Sequence, residues 1–370
     1  MKKRVFTTRT LILSLSVICL VTAILLLSSF GGTGNGKNSA QQDPAKGLKD
    51  YYKDYFPIGV AVSPTNIEGE QGELIKKQFN SLTPENVMKP ALIHPEENKY
   101  NWEPADKIVA FAQANGMKVR GHTLCWHTQT GAWMTKDAQG NQISKEVAFA
   151  RLKEHITTVV SHFKGKVYAW DVLNEIISDS ASTTKIYRET APWYKICGDE
   201  FIPKIYQWAH EADPNAILFY NDYNTENPVK REKIYNMLKK LLAQGVPIQG
   251  IGLQAHWRLD DPNEQQIKES IDRFASLGLK VQFTELDVTT LGNRSDTTKT
   301  YTPEKEKKQT EFYKMAFKVF REKKSVITGV TFWNVSDRGS WLDRGGRKAY
   351  PLLFDANLQP KKAYWGVVNF

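Results

Sequence analysis

The chain has 370 residues, 41% of them hydrophobic and 24% charged, the balance of a soluble globular protein long enough to bury a core without disulfide or metal staples. Of the net charge of +10, four belong to Lys2, Lys3, Arg4 and Arg9, which leaves +6 for residues 31–370. An excess that small, interleaved with acids as in Glu304 to Lys308, predicts no nucleic-acid partner.

The N-terminus is basic from Met1 to Thr10 and apolar from Leu11 to Leu27, and the small residues Ser28, Ser29, Gly31 and Gly32 follow. That order reads as a secretory signal peptide over residues 1–30. The apolar run also reaches the lower edge of the ~17–25 residues that a spanning helix needs, so an uncleaved membrane anchor is the rival. Lipid attachment at Cys19 is disfavoured, because Ile18 precedes it and the apolar run continues past it. Either main reading exports the rest of the chain to a secreted, periplasmic or cell-surface location. Residues 31–47 are rich in Gly, Asn, Ser and Gln and read as a flexible linker. A single domain is expected over 48–370.

Within it, short β-prone runs alternate with helical patterns. The strand candidates are Ile58 to Val62, Ser81 to Thr83, Lys118 to Thr123, Val167 to Val172, Ala216 to Tyr220, Gly250 to Gln254, Val281 to Thr284 and Gly329 to Phe332. Apolar residues at helical spacing fill Ala105 to Ala114, Glu146 to Phe163, Glu232 to Leu242, Gln265 to Leu277 and Glu306 to Phe320. Helices are expected to end at Gly116, Gly245 and Gly278. Eight strand–helix units fit a closed (β/α)₈ TIM barrel. A doubly wound open sheet is the alternative, but Gly59 to Asn66 lacks its glycine-rich phosphate turn. Cys125 and Cys197 read as two buried unpaired thiols rather than a disulfide.

In such a barrel the active face lies at the C-terminal strand ends. These ends carry Thr83-Pro84-Glu85-Asn86-Val87-Met88-Lys89, Gly121-His122-Thr123-Leu124-Cys125-Trp126-His127, Trp170-Asp171-Val172-Leu173-Asn174-Glu175, Tyr220-Asn221-Asp222-Tyr223, Gln254-Ala255-His256-Trp257, Thr284-Glu285-Leu286-Asp287 and Trp333-Asn334-Val335-Ser336-Asp337, followed by Trp341. Carboxylates and amides suit sugar hydroxyls, and flat indoles suit sugar C–H faces. Glycoside hydrolysis needs one carboxyl that can donate a proton and one carboxylate that can attack, and several carboxyls stand at these strand ends.

The ordered set around Glu85, His122, Glu175, Gln254, Glu285 and Trp341 resembles glycoside hydrolase family 10, the endo-xylanases, from about Leu48 to Phe370. The resemblance implies retaining hydrolysis of β-1,4-xylan and xylo-oligosaccharides without cofactor; such a reaction needs no metal, and a monomer is expected. It implies that Glu175 is the acid/base and Glu285 the nucleophile, ~5–5.5 Å apart as in retaining enzymes. It places Asn174 on the sugar 2-hydroxyl and His256 against the nucleophile. Gln254, two residues before His256, can share its side of a strand. The resemblance sets Glu85, Asn86, Lys89, His122 and Trp126 along the glycone subsites, with Trp333 and Trp341 beside the nucleophile. Gln129, Asn221 and Tyr223 are further substrate contacts. Asp171 and Asp287 read as supports for these residues. His127 and Trp170 read as core, and Tyr187, Trp193 and Trp208 as packing on helix-like segments. Leu173 and Asn334 depart from the family's common valine and glycine. Two rivals remain: a barrel glycanase acting on β-glucan or mannan, and a carbohydrate-binding protein on a decayed enzyme fold. The presence of both glutamates in full motifs argues against the second.

Overall fold

The computed structural model describes residues 45–292 and 300–370. The expected signal or anchor and most of the expected linker lie outside the described residues. Among the described residues nine strands form: β1 (Ile58–Val62), β2 (Ser81–Pro84), β3 (Lys118–Trp126), β4 (Ala169–Asn174), β5 (Ile217–Asp222), β6 (Gly250–Leu253), β7 (His256–Arg258), β8 (Lys280–Thr289) and β9 (Ile327–Phe332). All pair in parallel, in the order β6-β5-β4-β3-β2-β1-β9-β8, and a further β6–β8 pairing closes the ring. β7 pairs only with β8 and continues the line of β6, so the two are pieces of one barrel strand and the barrel has eight staves.

The strands are apolar on both faces because helices cover the outside while side chains fill the inside. β1, β2, β4 and β6 are buried along their whole length. The expected helices form over Glu103–Ala114, Lys145–His162, Pro228–Ala243, Glu264–Ala275 and Pro303–Glu322. Gly69–Gln78, Phe201–Ala212 and Lys362–Val368 add three more, and shorter helices form at Leu48–Tyr51, Pro90–Ile93, Ala132–Thr135 and Pro192–Cys197. Tyr187 departs from its helix-like reading: it sits in an isolated antiparallel bridge with Ile177. Cys125 and Cys197 are buried free thiols.

Two close approaches show how tightly the barrel fills. A Cβ on Gly121 of β3 would lie 2.2 Å from the Trp170 ring, so that buried indole occupies the space a side chain would take. A Cβ on Gly252 of β6 would lie 2.2 Å from the Asn221 side-chain oxygen. Across the barrel, Arg120 of β3 donates from Nε to Gln282 of β8 at 3.0 Å and from both terminal nitrogens to Asp171 of β4. Arg120 and Asp171 are 1% and 0% exposed. A buried carboxylate without its cation costs about 3–5 kcal/mol. Arg120→Met should therefore lower unfolding stability by about that amount. Urea denaturation followed by tryptophan fluorescence checks it, and an unchanged midpoint would mean that Asp171 does not depend on Arg120.

Candidate active site

Strand extension sets the site. β3 runs to Trp126 and β8 to Thr289, both beyond the spans the pattern predicts. Glu285 thus lies within β8 rather than after it, on rigid backbone, while Glu175 follows the last residue of β4. β6 breaks at Gln254 and Ala255, and Ala255 adopts φ 60°. Gln254 and His256 do face one cavity, but through this break in the strand rather than through a regular pleat.

The cavity at the C-terminal strand ends has a volume of ≈ 380 Å³. Eleven of the fifteen residues singled out from the sequence line it: Lys89, His122, Trp126, Asn174, Glu175, Tyr223, Gln254, His256, Glu285, Trp333 and Trp341. Glu85 and Asn86 stand just outside it, half-buried, and Asn86 accepts from Lys89 Nζ at 2.9 Å. Asn221 and Gln129 do not line it: Asn221 is fully buried, and Gln129 is exposed. Asn224, which the sequence did not single out, joins the lining.

Each carboxyl has its own partners. Glu175 accepts from Gln254 Nε2 at 2.9 Å and from Trp126 Nε1 at 2.8 Å. Glu285 accepts from Asn221 Nδ2 at 2.7 Å and contacts His256 Nε2 at 3.1 Å. The Asn174 amide lies 3.3 Å from the Gln254 amide and 2.9 Å from that of Asn221. A chain of three amides therefore links one carboxyl to the other.

Protonation is driven in opposite directions. Burial pushes Glu175 above the usual carboxylate range, and the negative charges of Asp222 and Glu285 push the same way. Burial would raise Glu285 too, but the hydrogen bond from His256, the charges of His122 and His256 and the Asn221 donor outweigh it and hold the group down at about 2. His256 itself faces two carboxylates, Glu285 through Nε2 and Asp287 through Nδ1 at 3.0 Å. Carboxylates only accept, so both ring nitrogens must carry protons. Burial opposes that charge, but the two acids hold His256 up at about 10.

Aromatic rings frame the cleft. Trp341 donates to Asp287 at 2.9 Å and leaves 43% of its surface exposed. Trp333 is buried edge-on to His122 at 5.3 Å. The Lys89 ammonium lies 5.0 Å from the Trp126 ring centroid. His122 is fixed through Nδ1 to Asp171 at 2.9 Å, the carboxylate that Arg120 also holds. Asp171 and Asp287 thus act as the supports expected of them.

His127 does not match its reading as a satisfied core histidine. Its Nδ1 lies 3.9 Å from Glu175 Oε2 and has no hydrogen-bond partner. Burial lowers it to about 4, and the nearby Arg188 charge adds to that, so a neutral ring borders Glu175. Asn334 adopts φ 139°, a conformation that favours glycine, and its side-chain oxygen accepts from the Val335 N–H at 2.7 Å. Among the described residues no group of three or more His, Cys, Asp or Glu side chains is arranged to hold a metal ion.

The sequence matches the glycosyl hydrolase family 10 profile over residues 47–370. It is 49% identical over 356 residues to a β-1,4-xylanase of Dictyoglomus thermophilum, covering 95% of this chain and 98% of that protein. It is 47% identical to endo-1,4-β-xylanase B of Paenibacillus barcinonensis, covering 87% of this chain and 97% of that protein. The crystal structure of the latter xylanase with a conduramine derivative superposes with a TM-score of 0.85 at 45% identity, covering 89% of this chain and 99% of that one. A solved mutant in complex with xylotriose superposes at 0.84 with 43% identity, covering 88% and 99%. With the barrel, the paired carboxyls and these relatives in agreement, the chain belongs to glycosyl hydrolase family 10.

Proposed function

We propose that this chain is an endo-1,4-β-xylanase that hydrolyses xylan and xylo-oligosaccharides by retaining double displacement. The observation that carries the mechanism is the opposed protonation of two carboxyls in one cleft, Glu175 raised and Glu285 lowered. Such a divergence supports Glu175 as the acid and Glu285 as the nucleophile. The xylanase names of the relatives and the xylotriose held by a structural neighbour support the substrate.

In the first step a Glu285 carboxylate oxygen attacks the anomeric carbon. The bond to the leaving sugar breaks, and its oxygen takes the proton of Glu175. Esterification removes the Glu285 charge, one of the influences that hold Glu175 up. Glu175 is then left as a carboxylate able to accept a proton from water. Water attacks the same carbon, Glu175 takes its proton, and the bond to Glu285 breaks with the original stereochemistry restored. That the Asn174 amide lines the cavity beside both carboxyl networks supports its role on a sugar hydroxyl whose hydrogen bond strengthens in the transition state.

The two glutamates should therefore fail differently. Glu285→Ala should abolish turnover, and azide should restore cleavage of an activated aryl xylobioside with inverted product. Glu175→Ala should lose ~10²–10⁴-fold on xylan. With the aryl substrate it should accumulate glycosyl-enzyme, and azide should release it with retained stereochemistry. Proton NMR of the azide products reads the anomers, and the opposite assignment would reverse the roles.

We also propose that residues 1–30 direct export, on the basic-then-apolar order of that segment. N-terminal sequencing of the mature native protein should start beyond residue 27. A mature chain that begins at the initiator methionine would leave the anchor as the reading.

A further inference from the structure

Glu175 occupies a left-handed backbone conformation, φ 57°, that a side chain with a Cβ rarely adopts. Such a conformation is strained and persists only where the surroundings fix it. Both of its main-chain polar groups are held. Its N–H donates to the Asn221 carbonyl at 3.0 Å, which ties it to β5. Its carbonyl accepts from Arg188 Nε at 3.2 Å. Arg188 comes from thirteen residues along the chain. A short antiparallel ladder brings it back: Ile177 bridges Tyr187, Ser178 N–H donates to Ile186 at 2.9 Å, and Arg188 N–H donates to Ile176 at 2.8 Å.

The same guanidinium continues outward. Its Nη2 donates to Asp179 at 3.0 Å and to the Tyr223 hydroxyl at 2.9 Å. Asp179 also receives the Tyr223 hydroxyl and, at 2.8 Å, the Lys230 ammonium. Lys230 is 3% exposed and lies 2.8 Å from Asp222, the last residue of β5. Its ammonium stands 3.5 Å from the centroid of the Tyr223 ring. The loop after β4 is thereby anchored to β5 by two cations and two carboxylates. Arg188 does not line the cavity, and it holds two residues that do, Glu175 through its backbone and Tyr223 through its hydroxyl.

We propose that Arg188 is a positioning residue for the acid/base step: its planar guanidinium locks the Glu175 main chain in the left-handed conformation that aims the carboxyl at the leaving oxygen. The proposal rests on the reading of Glu175 as acid/base. A lysine would keep the charge but not the role, because a single ammonium does not reproduce the fork that reaches the Glu175 carbonyl, Asp179 and Tyr223 together.

The test compares kcat/KM for two aryl β-xylobiosides, dinitrophenyl and phenyl, which place similar rings beside the scissile bond. The dinitrophenolate leaves without a proton, and the phenolate needs one. Because kcat/KM reports the first chemical step, misplacing the acid should lower the phenyl value alone. Arg188→Met should reduce kcat/KM for the phenyl substrate by about tenfold or more, while the dinitrophenyl value stays within about threefold. An equal fall on both substrates, or no fall on either, overturns the proposal. Arg188→Lys should show the same split and serves in its place if the methionine variant does not fold. Glu175→Ala is run alongside. If it shows the split and the Arg188 variants do not, the positioning role falls and the acid/base reading stands. If Glu175→Ala shows no split, the acid/base reading itself fails, and the positioning role with it.

Discussion

Two carboxyl groups that share a small, partly desolvated cleft repel each other, and neither charge is well solvated. The cleft answers by giving them unequal company. Glu285 receives a protonated histidine and a buried amide, and Glu175 receives only neutral donors from Gln254 and Trp126. Burial therefore drives Glu175 up, while its partners hold Glu285 down. Everything else in the site preserves that inequality. Asp287 keeps His256 protonated, Trp341 donates to the same Asp287 oxygen, and Thr284 fixes the Asn221 amide at 2.6 Å so that its nitrogen faces Glu285.

The barrel makes this company durable. Glu285, Asn221 and Asn174 are within strands, so their relative positions are set by parallel pairing of β4, β5, β6 and β8 rather than by loops. Below them the Arg120–Asp171 pair closes the floor and, through Asp171, orients His122. Glu175 is the exception: it lies one residue past its strand, in strained backbone, and needs the Arg188 and Asp179 lattice to hold it. That contrast suits the chemistry. In the proposed mechanism the nucleophile needs one fixed attack line, while the acid/base exchanges its proton with two partners in turn.

The sequence makes the staves legible because strands buried on both faces read as continuous apolar runs. It also makes most of the amphipathic helices legible, although Gly69–Gln78 escapes because only Leu74 and Ile75 mark its apolar face, and Phe201–Ala212 is marked only through Trp208 on a helix-like segment. Side chains at strand ends identify most of the cleft lining. What the pattern does not carry is depth and conformation. Asn221 follows Tyr220 like a cleft residue, yet it is buried against Thr284 and Glu285. His127 is one residue past Trp126 on an apolar run, and only the turn of the chain shows that its ring borders Glu175. The break at Ala255, the positive φ of Glu175 and the return of Arg188 depend on contacts between segments that no local spacing announces.

The account turns on which glutamate holds the proton in the free enzyme. Titration of carboxyl-labelled glutamates by ¹³C NMR, with Glu175→Gln and Glu285→Gln used to assign the two resonances, measures this directly. Glu285 should remain ionised to well below the ordinary carboxylate range, and Glu175 should titrate above it. Glu175 should also fall when Glu285 is neutralised by the glutamine substitution. A free enzyme in which Glu285 carries the proton while Glu175 is ionised would contradict the assignment of nucleophile and acid.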